Sequence, residues 1–302
     1  MTSFKINEAD LGDLTGKRVI ITGASSGIGL GAATIFARKG ASVLNLDINP
    51  PPDGGHESIE YRACDISRWD ELVAAFKHAG DIDIAVSNAG VSEETDYFAD
   101  TFDDSTGELL EPAYGVLNVN LRAVLNFTKL ALSNFRRRRY PGSIVITSSA
   151  TAYAPEQSLP VYSASKLALI GLIRALRSQV RTEGITINSV APAATITNLL
   201  PGHLAAPIMA AGLPVSSAEF VGLAIVYSAV ASQPGIVELY GKDDKGLAEM
   251  PSRWNGRTIL TLGDRYTELE GPIASCRPQW FGAENTVVTN LQQAATDFRV
   301  GI

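Results

Sequence analysis

The 302-residue chain has only two cysteines, Cys64 and Cys276, and three histidines, His56, His78 and His203. The cysteines lie far apart and form no CxxC pair, which argues against a disulfide framework and against a zinc site. The histidines fall in a turn, a helix end and a loop, with no triad or ligand spacing between them, so no metal is expected. Long apolar runs are also missing. The longest, Phe220–Ala231, is too short to span a bilayer and has the length of a buried helix. The opening MTSFKINEADLGDLTGK lacks the basic start and apolar stretch of a signal peptide. These absences point to a cytoplasmic protein with no membrane partner.

Basic charge is scarce, with 25 Lys and Arg against 32 Asp and Glu for a net charge of −7. The one basic run, Arg136 to Arg139, sits at an expected helix end, where cations suit the dipole. Nothing amounts to a nucleic-acid footprint. Between Ser92 and Pro112 stand Glu93, Glu94, Asp96, Asp100, Asp103, Asp104, Glu108 and Glu111, with no Lys or Arg. The segment reads either as a solvated loop or as a flap that discourages anionic substrates.

What is present is a regular alternation. Short β-branched runs at Arg18–Thr22, Ser42–Asp47, Ile59–Ala63, Ile82–Ser87, Ser143–Ser148, Ile185–Val190 and Thr258–Leu262 read as strands. Between them, Ile28–Arg38, Arg68–His78, Tyr114–Phe135, Tyr162–Thr182 and Ala218–Ala231 read as helices. Runs such as VIIT and SIVIT are apolar on both faces, as strands covered by helices on both sides must be. The pattern predicts an α/β protein with a doubly wound, seven-stranded parallel sheet and helices on both faces. A single domain is expected over residues 1–302, with its core at about 15–262 and a C-terminal tail at 265–302. Pro50–Gly55 reads as a surface turn.

The first strand is followed at once by Thr22-Gly23-Ala24-Ser25-Ser26-Gly27-Ile28-Gly29, which opens a helix. Glycines let the backbone turn and approach a pyrophosphate, and the helix start offers free N–H groups and a positive dipole end. Strand, glycine run and helix together form the context of a Rossmann dinucleotide site. No Lys-Ser/Thr follows the last glycine, so a phosphoryl-transfer loop is excluded. Asp47 ends the second strand, where a carboxylate accepts both ribose hydroxyls of NAD and repels the 2′-phosphate of NADP. Its neighbours are Ile48 and Asn49 rather than a cation, so the expected cofactor is NAD. The alternative is that Asp47 is a turn residue only.

The run TGASSGIG resembles the TGxxxGxG signature of the short-chain dehydrogenase/reductase family, and that family's later motifs follow in order. Asn88-Ala89-Gly90 matches its NAG motif and Tyr162-Ser163-Ala164-Ser165-Lys166 its YxxxK motif. Ser149, ahead of Tyr162 at the family spacing, matches its catalytic serine, and Asn120 in NVNL its catalytic asparagine. Asp65 in CDIS matches the acid placed near the adenine, followed by Ile66. The resemblance covers roughly residues 15 to 262 and is similar to the 15-hydroxyprostaglandin dehydrogenase branch and to fungal hydroxy-polyketide dehydrogenases. It implies an oxidoreductase that interconverts a secondary alcohol and a ketone in secondary metabolism. The implied catalytic residues are Asn120, Ser149, Tyr162 and Lys166. The implied cofactor residues are Gly23, Ser25, Ser26, Ile28, Gly29, Asp47, Asp65, Ile66, Asn88, Ala89, Gly90, Tyr162, Lys166, Thr195 and Thr197. Two departures stand out: the family's PG is Pro192-Ala193 here, and its DGG ending is absent, with Gly263-Asp264 and a long tail in its place.

Chemically, Lys166 lies four residues after Tyr162, so a helix puts both side chains on one face. A cation about 4 Å away is worth ~4 kcal/mol at an effective dielectric of 20. At about 1.4 kcal/mol per pH unit this would bring a tyrosine from about 10 down by roughly three units. Ser149 would donate to the substrate oxygen. By the resemblance, the Asn120 amide would hold a water that links Lys166 to solvent. Asn118 is read as structural. The segment Asn198–Ser217, with Leu199, Leu200, Leu204, Ile208, Met209 and Leu213, reads as an apolar lid or, alternatively, as a core helix. A lid with an acidic flap points to an uncharged, mostly hydrophobic small molecule. The rivals are an NADPH-dependent ketoreductase, a non-redox enzyme on this scaffold and an NAD-binding scaffold protein. Apolar positions Leu167, Ile170, Leu172 and Ile173, together with the habit of the family, predict a homodimer or homotetramer.

Overall fold

The structure, a computed structural model, describes residues 3–52 and 56–299. Among the described residues the strands are β1 Ser3–Phe4, β2 Arg18–Thr22, β3 Ser42–Asp47, β4 Ile59–Ala63, β5 Ile84–Ser87, β6 Ser143–Thr147, β7 Thr186–Pro192, β8 Ser232–Gln233, β9 Ser252–Arg253, β10 Thr258–Leu262 and β11 Arg265–Glu268. The helices are α1 Gly27–Arg38, α2 Trp69–Ala79, α3 Gly115–Leu117, α4 Val124–Arg138, α5 Pro160–Thr182, α6 Gly202–Ala210, α7 Ala218–Val230, α8 Glu270–Ser275, α9 Arg277–Trp280 and α10 Ala283–Ala295. The expected Pro50–Gly55 turn lies partly outside the described residues.

The main sheet runs β1-β11-β10-β7-β6-β5-β2-β3-β4. All seven expected strands are in it and pair in parallel. The expected seven-stranded sheet is extended to nine: β11 joins β10 antiparallel and β1 joins β11. The sheet therefore reaches past residues 15–262 at both ends, and the segment read as a tail begins with a sheet strand. A strand of two residues, as β1 is, leaves too little pattern to be read.

Each face of the sheet carries its own core. On one side Phe36, Ile35, Ile225 and Val226 from α1 and α7 pack on Ile21, Val86 and Ile259. On the other, Phe76, Phe127, Leu169 and Ile173 from α2, α4 and α5 pack on Ile20, Leu46, Ile144 and Ile146. The chain winds from β2 outward through β3 to β4, then returns to β5 on the other side of β2. The carboxyl ends of β2 and β5 consequently flank the crevice where open α/β sheets bind ligands.

The continuous helix expected at Tyr114–Phe135 is broken. Tyr114 is a left-handed cap (φ 45, ψ 34), α3 makes one turn, and Asn118–Ala123 is wound as a π-helix before α4 resumes. Such wide turns are frequent at functional sites, and this one contains Asn120.

Candidate active site

The ends of β2, β5 and β6 are braced by Asn88. Its Nδ2 donates to the carbonyls of Thr22 (3.2 Å) and Gly23 (3.0 Å), and its Oδ1 accepts from Thr147 Oγ1 (3.1 Å). Thr22, fully buried, accepts at Oγ1 from the N–H groups of Asn88 and Ala89, both at 3.0 Å. Gly29 sits inside this brace: a Cβ there would lie 2.1 Å from the Gly23 carbonyl oxygen and 2.5 Å from Asn88 Nδ2. Only glycine fits. Ser26 begins α1 without a side-chain cap, so no side chain blocks the dipole end that suits a pyrophosphate.

Asp47 and Ser25 are laced together at the end of β3. Asp47 Oδ2 accepts from Ser25 N (3.1 Å) and Oδ1 from Asn49 N (3.0 Å). Ser25 Oγ donates to the Asn49 carbonyl (2.6 Å) and accepts from buried Asn45 (3.0 Å). Each carboxylate oxygen keeps a second lone pair for a ribose hydroxyl. Asp65 accepts from Ser67 N and Oγ (2.9 and 2.7 Å), which fixes the turn after β4, and Ile66 is buried beside it. Thr197 lies over the glycine-rich turn, its Cγ2 3.1 Å from where a Gly27 Cβ would stand. Thr195 is buried and donates to the Ala193 carbonyl (2.9 Å), so its hydroxyl is turned into its own loop. Ala193 needs no left-handed backbone, which is why alanine serves where the family has glycine.

Tyr162 and Lys166 share the inward face of α5, both buried, with Lys166 Nζ 5.5 Å from the centre of the Tyr162 ring. Lys166 Nζ donates to the Thr147 carbonyl (3.1 Å), and Ser148 Oγ donates to the Lys166 carbonyl (3.0 Å). Burial brings the lysine down to about 8. Burial also pushes the Tyr162 hydroxyl up, against a smaller opposing effect of the Ser149 hydroxyl. In the protein by itself burial is the main cause of both shifts, so the Tyr162 hydroxyl stands above its ordinary value rather than below it, as the four-residue spacing suggested. Ser149 Oγ accepts from Thr151 N (3.1 Å), which fixes its direction.

The fully buried Asn120 amide exchanges two hydrogen bonds with the Val91 backbone, donating to its carbonyl and accepting from its N–H, both at 2.9 Å. The amide thus braces Val91, and one of its N–H groups and one Oδ1 lone pair remain for a further partner. Gly90 keeps this corner open: a Cβ would come within 3.2 Å of Asn120 Oδ1 and 3.5 Å of Lys166 Nζ.

The expected lid holds one short helix, α6, with Leu199, Met209 and Leu213 exposed, so it is not a core helix. The side chain of Leu204 lies outside the described residues. Near Tyr162, Tyr97 and Tyr114 stack at 5.4 Å and pack with Leu117 and Leu159 on the Val116, Val161 and Tyr162 cluster. Sequence reasoning missed two contacts. Glu93 accepts from Tyr162 N (2.8 Å), and Glu270 accepts from the Tyr153 hydroxyl (2.6 Å) just past Ser149. Both link positions far apart in the chain, and no local pattern signals them. His56, His78 and His203 join no metal cluster among the described residues.

A short chain dehydrogenase family profile matches residues 17–205, and the chain belongs to the short-chain dehydrogenase/reductase family. It is 58% identical over 99% of its length to short-chain dehydrogenase/reductase prx4 of Penicillium roqueforti, spanning 90% of that protein. It is 45% identical over its whole length to short-chain dehydrogenase/reductase ATR7 of Stachybotrys chlorohalonatus, spanning 96% of it. In fold it is similar to a 3-ketoacyl-(acyl-carrier-protein) reductase of Brucella melitensis crystallised with NADH, with TM-score 0.64 and 22% identity, covering 83% of this chain and 98% of that one. The protein is accordingly an oxidoreductase acting on CH–OH groups, in a family that uses NAD(P)(H). No helix among the described residues is long and apolar enough to cross a membrane.

Proposed function

We propose that this protein exchanges a hydride between NAD(H) and a secondary alcohol or ketone on an uncharged, mostly hydrophobic small molecule. The observation that carries the choice of NAD is the Asp47 carboxylate, held by the amides of Ser25 and Asn49 beside exposed Ile48 rather than beside a cation. A 2′-phosphate would meet a fixed negative charge there. The site suits the dinucleotide in three further ways. α1 starts without a side-chain cap, Gly29 allows the close turn, and Lys166 has donors left after its one bond to Thr147.

A bound nicotinamide would supply the hydride chemistry. The chain's own groups handle the proton. In reduction the Tyr162 hydroxyl gives its proton to the carbonyl oxygen, and in oxidation the phenolate takes it back. The Ser149 hydroxyl donates to the same oxygen and stabilises its developing charge. Lys166 binds ribose hydroxyls and, while charged, favours the phenolate. Asn120 acts on this centre by holding Val91 and the Gly90 corner.

The exposed apolar segment Leu199–Leu213 and the stacked pair Tyr97 and Tyr114 support an apolar substrate, and the fungal relatives fit a place in secondary metabolism. A single domain in the cytoplasm, assembled as a homodimer or homotetramer, completes the reading. Of the apolar positions expected to drive assembly, Ile170 and Ile173 are buried in the core and Leu172 packs against it. The non-polar positions exposed on α5 are Leu167 with Ala164, Ala168, Gly171 and Ala175. The test is to offer the purified protein a panel of apolar secondary alcohols with NAD⁺ and of ketones with NADH. One NADH formed or consumed per product is expected. Product without NADH change would establish a non-redox enzyme, and no product with tight NADH binding a scaffold.

A further inference from the structure

We infer that Glu93 is a positioning residue for Tyr162, an inference that rests on reading Tyr162 as the proton donor and acceptor. Of the eight acids between Ser92 and Pro112, Glu94, Asp96, Asp100, Asp104, Glu108 and Glu111 are exposed. Asp96 and Asp103 bond only within their own turns, to Phe98 and to Ser105 and Thr106. Glu93 and Asp103 are both half-buried, but Glu93 alone of the eight reaches far along the chain: its Oε2 accepts from the backbone N–H of Tyr162 at 2.8 Å, 69 residues away.

Helix α5 needs such a partner because it starts without a capping side chain. Leu159 stands at the cap, Pro160 has no N–H to offer, and Ser163 N already donates to the Leu159 carbonyl (2.9 Å). Among the described residues the Tyr162 N–H finds its acceptor in Glu93, and a carboxylate at a helix start is also favoured by the dipole. Two residues earlier, Val91 is doubly bonded to Asn120. Residues 91–93 therefore tie together the two helical segments that carry Asn120 and Tyr162, and they enter the acidic segment at that point. Loss of the Glu93 bond frees the first turn of α5, and the Tyr162 hydroxyl shifts relative to Ser149. Proton transfer is sensitive to small misplacements of this kind.

The test uses the intact enzyme with a secondary alcohol that it oxidises. Glu93→Ala is expected to lower kcat at least tenfold while the NADH dissociation constant, read by fluorescence, stays within twofold. Glu93→Gln keeps an acceptor oxygen at the same reach and is expected to recover at least a third of the rate. Glu94→Gln, on an exposed neighbour, should match the wild type. Wild-type kcat in Glu93→Ala, a loss shared equally by kcat and NADH affinity, or a Gln variant as slow as the Ala variant would each overturn the inference. Should Glu93→Ala not fold, Glu93→Met against Glu93→Gln decides by the same readings. Tyr162→Phe is measured alongside. If it turns over normally, the reading of Tyr162 fails; if it is inactive while Glu93→Ala is not, only the role of Glu93 fails.

Discussion

Lys166 stands 5.5 Å from the centre of the Tyr162 ring and donates to the Thr147 carbonyl, with no carboxylate among its partners. A buried ammonium without a counter-ion is costly, and its fall from 10.5 to about 8 expresses that cost. Below pH 8 the folded protein bears the full penalty. Between about 8 and 10.5 the unfolded chain holds the proton more tightly than the folded one, so stability attributable to this group rises with pH. Relative to Lys166→Met, wild-type unfolding free energy should gain about 3 kcal/mol over that window, at ~1.36 kcal/mol per unit. Denaturant titrations at a series of pH values check this; parallel curves would show that Lys166 is not charged at a cost.

Tyr162→Phe should reduce turnover by at least a hundredfold, roughly 2.7 kcal/mol, and change NADH affinity less than twofold. The hydroxyl is the moving proton's partner, while Lys166 and the groups read as meeting the pyrophosphate and the adenine ribose, at the glycine-rich turn and Asp47, are left in place. Stopped-flow turnover and NADH fluorescence titration separate the two effects.

Asn88→Ala removes bonds to Thr22, Gly23 and Thr147 at once and leaves buried carbonyls without their donor. Each unmet group costs about 1–3 kcal/mol, so a marked fall in stability is expected, with KM for the cofactor rising because the Gly23 turn loosens. An unchanged cofactor KM in a folded variant would contradict the brace.

Glu270 is 2% exposed and holds Arg174 through two bonds (2.7 and 3.0 Å) and the Tyr153 hydroxyl, fastening the C-terminal segment to α5 and to the loop after Ser149. Removing one partner of a fully buried pair typically costs about 3–5 kcal/mol; Arg174 is 35% exposed, so solvent takes part of that. Glu270→Ala should lose about 2 kcal/mol by chemical denaturation, on the order of one buried charged hydrogen-bonding group, and a loss under about 1 kcal/mol, the range of a surface pair, would mean the clamp is incidental.

The sheet was legible because parallel strands buried on both faces are apolar throughout, as VIIT and SIVIT are. The catalytic pair was legible because a four-residue spacing puts Tyr162 and Lys166 on one helix face. The π-turn around Asn120 was not, since the residues of Asn118–Ala123 read as ordinary helix and the partner of Asn120, Val91, comes from another loop. Charge balance was equally hidden. Sequence spacing placed a cation near Tyr162, whereas the burial that raises the tyrosine and lowers the lysine exists only once both cores have closed. Glu93 looked like one acid among eight because its partner is 69 residues away.

The most direct measurement of the central claim is kcat/KM for NADH and for NADPH with a single ketone substrate. Asp47, fixed by Ser25 and Asn49 and followed in sequence by Ile48 rather than by a cation, should favour NADH at least tenfold, or about 1.4 kcal/mol. Asp47→Ser combined with Ile48→Arg should move the preference toward NADPH. Equal values for the unmutated enzyme would mean that Asp47 does not meet the ribose, and the assignment to NAD would be wrong.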